Sequence, residues 1–390
     1  MTNVPELRFA GFDGEWKESV LDKNLISLKS GLSRKLSDYD IGIPVVRANN
    51  TYDNRLDLKK NIKYWYDDDP QGADTNNYVI EKNDILINFI NSMSKMGTAA
   101  LVRENPERKT IYTTNIMRLK TNKSLNPFFY LMLTLTVNYR KYIESISMQA
   151  VNQSSFTTKD YKRYKFYKPS YNEQEKIGSL FSKIDQLIEG QQEIVDQTMA
   201  LKKSMLQKMF PSNSSPIPQL RFNLKDYGFD NGILNDFIVT HGSKNYITNP
   251  CKEGKFKVIQ QGDIPIAGYS NNLPYEDYKN VILFGDHTLS LYKPTSPFLL
   301  ATDGIKIIFV ENINTYYFYY LIQSIMPESQ GYKRHYKILR GTKVKIVKSA
   351  EEQEKIGNFF KNLDEKIASE EKLLEAYKDM KKSLLQKMFV

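Results

Sequence analysis

The sequence predicts an α+β protein in which two globular blocks, related by a pseudo-twofold axis, are separated by two long helices packed as an antiparallel coiled coil. Three observations support this fold. A 41-residue segment occurs twice in the 390-residue chain, and each copy has apolar residues at heptad-like spacing. Each copy also follows a block in which several short strand-like runs precede one helical run.

The repeated segment sets the plan of the chain. Residues 170–210 align without a gap on residues 349–389, and 18 of the 41 positions are identical. The identical residues concentrate at the two ends, as EQEKIG at the start and LQKMF at the finish. A second, shorter repeat lies near the start of each block, as PELRF at residues 5–9 and PQLRF at residues 218–222. The chain is therefore a tandem duplication of a two-part module.

Both copies predict a helix with a marked start. Ser170 and Glu173 have the spacing of a capping box, and Ser349 with Glu352 repeats it. Polar residues interrupt the apolar seam, as in coiled coils that fix their register. The first copy carries apolar residues at Ile177, Leu180, Phe181, Ile184, Leu187, Ile188, Ile194, Val195, Leu201, Met205 and Met209. A helix of this length, roughly 60 Å, buries such a stripe best against the second copy.

The repeat and the composition give five segments. They are a first block at 1–169, a helix at 170–210, a linker at 211–217, a second block at 218–348 and a helix at 349–390. In the first block, strands are predicted at 43–47, 84–90, 99–102 and 111–119, before a helix at 127–145. In the second, strands are predicted at 256–260, 281–284, 289–293, 298–301 and 306–310, before a helix at 315–325.

Charge and composition favour a nucleic-acid partner in the cytoplasm. The net charge is +10, and the excess lies in the blocks: +7 in residues 1–171 and +5 in residues 211–350. Two basic modules suit a polyanion such as DNA. A single cysteine, Cys251, fits a reducing cytosol and, with three histidines, makes a zinc cluster very unlikely.

Basic runs and amide-rich turns are the candidate DNA contacts. The runs KDYKRYKFYK at 159–168 and YKRHYKILRGTKVKIVK at 332–348 precede the two helices at matching positions. Taken alone, each run is equally compatible with a solvated edge strand, and each polar turn with an ordinary turn. The DNA contacts predicted from these runs and turns are Arg47, Asn49, Asn50, Asn88, Asn91, Ser92, Lys95, Asn152, Gln153, Ser154, Lys162, Arg163, Gln260, Gln261, Asn271, Lys333, Arg334 and His335.

Polar residues kept in both helices are the candidate partner contacts. An apolar seam does not explain why EQEK is the same in both copies. Either the duplication is recent, or two equivalent surfaces meet two copies of one partner. The predicted partner contacts are Glu173, Gln174, Lys176, Glu352, Gln353 and Lys355.

The chain consists of a basic block, a helix that begins with EQEKIG and ends in LQKMF, a second basic block and a second such helix. This order resembles the specificity subunit of Type I restriction-modification systems. The run FGDHT at 284–288, with TDGIK at 302–306, is similar to a pattern in some recognition domains of that family. This similarity implies DNA contacts at Asp286, His287 and Thr288, although His287 is equally compatible with a turn histidine. The resemblance covers the whole chain. It implies that each block is a target recognition domain for half of a split, asymmetric double-stranded DNA sequence, and that the helices space these domains.

The resemblance also implies partners and cofactors. Two modification subunits would bind S-adenosylmethionine and methylate adenine at N6, and restriction subunits would use ATP and Mg²⁺ to translocate and cut DNA. In this chain itself we expect no cofactor and no metal. The tetrapeptide Asn126 to Phe129, which is close to an adenine methyltransferase motif, lacks the second proline and is interpreted as a helix start. No Walker A phosphate loop occurs in the sequence.

We therefore expect a non-catalytic subunit that belongs to a bacterial defence complex. Two other functions remain open at the level of sequence. One is a self-contained restriction-modification enzyme with an unrecognised active site. The other is a coiled-coil adaptor that never touches DNA, whose binding would hardly respond to salt.

Overall fold

The computed structural model describes residues 3–52, 54–149, 153–211, 217–222, 228–331 and 333–390. These residues form two compact units, each drawn from separate parts of the sequence. Unit 1 comprises residues 1–190 together with 374–390, and unit 2 comprises residues 191–373. Each unit thus contains one block and pieces of both long helices. Residues 212–216 of the predicted linker lie outside the described residues.

Unit 1 contains fourteen strands and three shorter helices within its described residues. The strands are β1 (Lys17–Val20), β2 (Leu25–Ser30), β3 (Ile43–Val46), β4 (Thr51–Tyr52), β5 (Arg55–Leu56), β6 (Lys63–Trp65), β7 (Ile85–Asn88), β8 (Ile90–Asn91), β9 (Ala99–Leu101), β10 (Ile111–Tyr112), β11 (Ile116–Thr121), β12 (Met148–Gln149), β13 (Ser154–Ser155) and β14 (Lys165–Lys168). The helices are α1 (Pro127–Leu133), α2 (Val137–Ile146) and α3 (Thr158–Lys162), and the long helix α4 (Tyr171–Met209) begins here.

Unit 2 contains nine strands and two shorter helices within its described residues. The strands are β15 (Phe229–Ile233), β16 (Val239–His241), β17 (Phe256–Ile259), β18 (Ile266–Ser270), β19 (Val281–Gly285), β20 (Leu291–Tyr292), β21 (Phe298–Leu300), β22 (Ile305–Phe309) and β23 (Lys343–Val347). The helices are α5 (Thr315–Ser324) and α6 (Tyr336–Arg340), followed by the long helix α7 (Ala350–Met388).

The same three sheets occur in both units. A four-stranded antiparallel sheet has the order β2-β11-β7-β9 in unit 1 and β16-β22-β19-β20 in unit 2. A three-stranded mixed sheet has the order β10-β3-β6 in unit 1 and β21-β17-β18 in unit 2, with its first pair parallel. A two-stranded ladder joins β1 to β14 and β15 to β23. The predicted α+β class is confirmed, and the repetition extends to strand order although the two blocks share little sequence.

An asparagine begins the helix that follows the four-stranded sheet in each unit. The Asn126 side chain accepts from the Phe128 and Phe129 amides, and the Asn314 side chain accepts from the Tyr317 amide. Asparagine at this position satisfies amides that have no partner within the helix. The interpretation of Asn126 as a helix start is therefore confirmed.

The two long helices run antiparallel within each unit. In unit 1, Phe181 lies 6.1 Å from Phe389, and Asp185 forms an ion pair with Lys381 at 2.7 Å. In unit 2, the Gln191 side chain donates to the Glu370 carboxylate at 2.6 Å. Further along unit 2, Lys202 pairs with Asp364 at 2.5 Å and Phe210 lies 5.8 Å from Phe360. The helix pairing predicted from the repeat is therefore present, and its polar interruptions Gln191 and Glu370 bind each other.

The apolar seam is narrower than the heptad pattern predicts. Ile177, Phe181 and Ile184 are buried in the core of unit 1. By contrast Leu187, Ile194 and Leu201 are between 42% and 48% exposed. Because each helix end also packs against the block of the unit in which it lies, the buried face follows that block as well as the partner helix. Leu187, Ile194 and Leu201 therefore lie outside the buried part of the predicted apolar stripe.

The predicted capping boxes are only half formed. In α7 the Glu352 amide donates to the Ser349 hydroxyl at 3.3 Å, as expected of a cap. The carboxylates of Glu173 and Glu352 do not turn back to the helix start, because each is bound to an arginine. Within the described residues no helix is long and apolar enough to cross a membrane.

Candidate nucleic-acid interface

Three loops of unit 1 meet at one edge of its sheets. They follow β3, β7 and β10 and comprise residues 47–50, 89–95 and 113–115, which we call the loop end of unit 1. β3 and β10 are parallel neighbours, with Tyr112 beside Val46, so their loops leave the sheet side by side. Loops at strand ends are where binding residues concentrate on a rigid scaffold.

The loop end of unit 1 borders an open groove of about 520 Å³. Five predicted DNA contacts line it: Arg47, Asn49, Asn91, Ser92 and Gln153. The other lining residues are Leu32, Ser33, Arg34, Leu36, Ala48, Ile90, Thr113, Thr114 and Asn115. Among the described residues no acidic side chain lines it. The groove thus collects amide, hydroxyl and guanidinium groups, which are the groups that contact base edges and phosphates.

The Arg34 guanidinium at this groove is already engaged. Its Nε lies 3.1 Å from the carboxylate of Asp69, whose side chain is fully buried. The Trp65 indole donates to the same carboxylate at 3.2 Å. The hydrogen bond from Arg34 is the main reason why the pKa of Asp69 is held well below its usual range. Arg34 therefore stabilises the groove wall through a strong charge-assisted bond.

Three predicted DNA contacts in unit 1 are buried. The Asn50 side chain accepts from the Arg47 amide at 3.0 Å and donates to the Lys60 carbonyl at 2.8 Å. The Asn88 side chain donates to the Thr51 and Thr98 hydroxyls. Ser154 is buried in β13. A buried side chain does not reach a base edge, so the structure corrects the predicted role of these residues to holding the loops.

The basic run of unit 1 lies at a separate depression. Lys162 and Arg163 line it together with Lys159 and Asp22, and it shares no lining residue with the groove. Lys162 pairs with Asp22 at 3.0 Å, and Arg163 pairs with Asp160 at 3.4 Å. The structure therefore does not bring these two residues to the loop end. Lys95 is exposed in the 89–95 loop, and Asn152 lies outside the described residues.

Unit 2 has a loop end built from the corresponding strands. Residues 260–263, 286–290 and 301–304 follow β17, β19 and β21, and we call them the loop end of unit 2. Gln261 joins all three loops, because its side-chain oxygen accepts from the His287 amide at 3.1 Å and its nitrogen donates to the Thr302 hydroxyl at 3.5 Å. The Gln261 side chain therefore holds the three loops together.

The other amides predicted in unit 2 are engaged within the fold. The Gln260 side chain donates to the Ile264 carbonyl at 2.9 Å. Asn271 accepts from the Lys255 amide at 2.9 Å, at the end of the β17–β18 hairpin opposite to the loop end. The structure therefore does not bring Asn271 to this site. Thr288 is exposed in the 286–290 loop, with its hydroxyl 2.9 Å from that of Ser290.

A buried pair, Asp286 and His335, holds the second basic run against this loop end. The His335 ring, which has no exposed surface, contacts the Asp286 carbonyl through Nδ1 at 3.1 Å and accepts from the Gln330 amide through Nε2 at 3.0 Å. Both residues are therefore positioning residues, which corrects their prediction as DNA contacts. Their neighbours Lys333 and Arg334 are exposed, and this pair places them beside the 286–290 loop.

The repeated EQEKIG motif is explained by the fold of each unit. The Glu173 carboxylate receives two hydrogen bonds of 2.8 Å from Arg8, the arginine of PELRF. The Glu352 carboxylate receives bonds of 3.0 and 2.7 Å from Arg221, the arginine of PQLRF. Both carboxylates are buried. The arginine of one repeated motif therefore forms an ion pair with the glutamate of the other, and this ion pair occurs once in each unit.

The glutamine of the motif joins each long helix to the shorter helix beside it. The Gln174 side chain accepts from the Asn126 amide at 2.9 Å and donates to the Pro169 carbonyl at 3.1 Å. The Gln353 side chain accepts from the Asn314 amide at 2.8 Å and donates to the Val347 carbonyl at 2.7 Å. The predicted partner role of the four buried residues, the two glutamates and the two glutamines, is corrected to an internal one.

The lysine of the motif is exposed in both copies. Lys176 lies with its Nζ 4.9 Å from the ring centre of Phe12, and Lys355 pairs with Glu351 at 2.6 Å. Of the predicted partner contacts, these two are therefore the ones with accessible side chains.

Sequence reasoning missed Thr113, Thr114 and Asn115, whose only signal is their position directly after a strand.

Comparisons with known proteins agree with this architecture. A family model described as the Type I restriction modification DNA specificity domain matches residues 23–197. The chain is 25% identical to the putative type I restriction enzyme MjaX specificity subunit of Methanocaldococcus jannaschii, over 95% of this chain and 92% of that one. Its fold is similar to the Type I restriction-modification S subunit of M. genitalium, with a TM-score of 0.68 and 17% identity over 99% of both chains. A chain from a type I system studied for its complex assembly gives a TM-score of 0.51 at 14% identity, over 96% of this chain and 97% of that one.

Proposed function

We propose that this chain is the DNA-recognition subunit of a Type I restriction-modification system, because residues 23–197 match the DNA specificity domain of such systems and 95% of the chain aligns with a specificity subunit. In this role the loop end of each unit reads one half of a bipartite, asymmetric duplex target. The observation that carries this proposal is the repetition of three loops at the same edge of the same sheets. The two loop ends share their scaffold but none of their exposed side chains. One chain therefore presents two different reading surfaces.

The two loop ends differ in charge. The groove of unit 1 has no acidic lining residue in the described part of the chain. The loop end of unit 2 presents two exposed carboxylates, Asp263 and Asp303. A carboxylate is repelled by phosphate, so these side chains favour base edges that donate, such as the amino groups of cytosine and adenine.

The long helices supply the surfaces proposed for partners. Ile194 and its repeat equivalent Leu373 are exposed, as are Leu201 and its equivalent Met380. Apolar residues exposed at equivalent positions of a repeat suit two copies of one partner. We assign them, with Lys176 and Lys355, to two modification subunits. Those subunits would bind S-adenosylmethionine and methylate adenine at N6.

Restriction subunits would join the same complex and use ATP and Mg²⁺. In this division of labour the specificity subunit performs no catalysis and holds no cofactor of its own. The complex would act in the cytoplasm, where it meets DNA. Metal-holding groups of three or more His, Cys, Asp or Glu are not found among the described residues.

Co-expression of this chain with its modification subunits tests the proposal. Single-molecule sequencing should find N6-methyladenine in a bipartite motif only when this chain is present, and purification should recover two modification subunits per chain. Replacing residues 47–49, 89–95 and 113–115 with those of another specificity subunit should change one half of the motif. DNA affinity should fall steeply with salt. Binding that ignores salt, with no methylation, would instead support the adaptor function.

Replacing Asp303 by Asn should tighten non-specific DNA binding about two- to fivefold, because one charge pair near 4 Å in water is worth about 1 kcal/mol. Fluorescence anisotropy with a random duplex at about 0.1 M salt measures this change. Glu311→Asn is the matched control, since Glu311 is exposed at the opposite end of β22 from the loop end. Equal effects of both variants would contradict a place for Asp303 at the interface.

A further inference from the structure

The geometry of unit 1 points to two adenine-reading residues, and we propose that Asn49 and Asn115 each recognise an adenine through its major-groove edge. This inference rests on the proposed function and specifies its chemistry. It assigns two residues to the reading of adenine in one half-site, and neither the fold nor the family gives this assignment.

Four of the polar side chains that line the groove are already engaged within the protein, those of Arg34, Arg47, Asn91 and Ser92. Arg34 is bound to Asp69, and the Arg47 guanidinium donates to the Asn61 carbonyl at 2.6 Å. The Asn91 side chain accepts from the Ser92 amide at 2.8 Å. Like the amide of Gln153, the side-chain amides of Asn49 and Asn115 form no hydrogen bond within the described part of the chain. They are therefore available to a ligand.

The backbone on which these two amides stand is fixed. Asn49 lies in a short turn that closes when the Thr51 hydroxyl donates to the Ala48 carbonyl at 3.0 Å, and Asn50 holds the same turn from below. The Asn115 carbonyl accepts from the Phe89 amide at 3.2 Å, which ties its loop to the 89–95 loop. Side chains on such fixed loops lose little conformational freedom on binding.

The two loops are also spaced to meet successive bases. They leave the parallel strands β3 and β10, and the Thr113 amide donates to the Val46 carbonyl at 3.0 Å where they separate. Adjacent strands lie about 4.8 Å apart. Bases along one DNA strand lie about 3.4 Å apart. Asn49 and Asn115 can therefore address neighbouring base pairs.

The chemistry of an amide selects adenine. An Asn side chain offers one donor and one acceptor side by side, which match N7 and the N6 amino group of adenine. Guanine presents two acceptors at the same place, so the amide oxygen would face an acceptor without a proton between them. The absence of a carboxylate among the described lining residues also leaves no charged acceptor that would compete for the adenine amino group.

The test uses the full chain with its modification subunits. Asn49→Ala and Asn115→Ala should each make one adenine position of the unit 1 half-site degenerate, and the other half-site should not change. Affinity for the cognate duplex should fall about 5- to 150-fold for each variant. Asn172→Ala is the control, because Asn172 is exposed on α4 in the same unit.

Two further variants separate reading from positioning. Asn49→Gln keeps an amide and should retain adenine at its position with weaker binding. Asn50→Ala removes a buried positioning residue and should weaken binding without making one position degenerate. An unchanged motif in both alanine variants, or a unit 1 half-site without adenine, overturns the inference. A wild-type complex that methylates no motif would overturn the proposed function itself.

Discussion

Replacing Arg8 by Ala is expected to lower the free energy of unfolding by about 3–5 kcal/mol. The carboxylate of Glu173 is 1% exposed and receives two 2.8 Å hydrogen bonds from Arg8. The same bond to Glu173 is the main cause that raises the pKa of Arg8. Without Arg8 a buried charge loses its partner, and its desolvation is no longer offset. Urea unfolding followed by tryptophan fluorescence measures the loss in unit 1, because both tryptophans of the chain, Trp16 and Trp65, lie there.

Two variants test whether the uncompensated charge is the cause. The double variant Arg8→Met with Glu173→Leu removes both charges, and it should cost far less than Arg8→Ala alone. Arg221→Ala breaks the equivalent pair of unit 2 and should cause a similar loss, which circular dichroism detects. A loss below about 1 kcal/mol for Arg8→Ala would place this pair with ordinary surface ion pairs.

Replacing Gly357 by Ala is expected to lower the free energy of unfolding by about 1–3 kcal/mol through overpacking. A Cβ on Gly357 would lie 2.8 Å from the Asn314 side-chain oxygen and 2.9 Å from the Tyr317 amide nitrogen. The amide belongs to the backbone at the start of α5, so α7 and α5 would have to separate. The corresponding change at Gly178 should cost less, because its nearest contacts are 3.2 and 3.4 Å.

Gly190 provides the matched control for this experiment. It lies in the interior of α4, and a Cβ there would have no heavy atom within 4 Å. Since glycine is a poor helix former, Gly190→Ala should raise the free energy of unfolding by about 0.5–1 kcal/mol. Equilibrium urea titration of the three variants gives the order. Stabilisation by Gly357→Ala would show that EQEKIG needs its glycine for a reason other than close approach.

The helices were predictable because their signals are local and repeated. Eighteen identities at one offset and a heptad pattern give both their bounds and their pairing. The same pattern could not tell that Leu187 and Leu201 are exposed, because it does not show which neighbour covers each position. That depends on how a block packs on the helix, which is a property of the folded unit.

Residues of the candidate site were predictable where an amide-rich turn of the sequence also lies at the groove. Asn49 and Asn91 lie in amide-rich turns, and both reach the groove. Asn115 was missed because its place depends on the pairing of β10 with β3, which are far apart in sequence. The ion pair of Arg8 with Glu173 was missed for the same reason, since 165 positions separate its partners.

In each unit the same backbone hydrogen bond connects the start of the block to the end of a long helix. The Leu7 amide donates to the Lys387 carbonyl in unit 1, and the Leu220 amide donates to the Lys208 carbonyl in unit 2. The helix end that completes unit 1 belongs to α7, and the one that completes unit 2 belongs to α4. The same backbone hydrogen bond therefore attaches each block to the end of the long helix that follows the other block. We expect a recombinant chain that exchanges one whole block to keep this attachment, so that a different block can be carried by the same pair of helices.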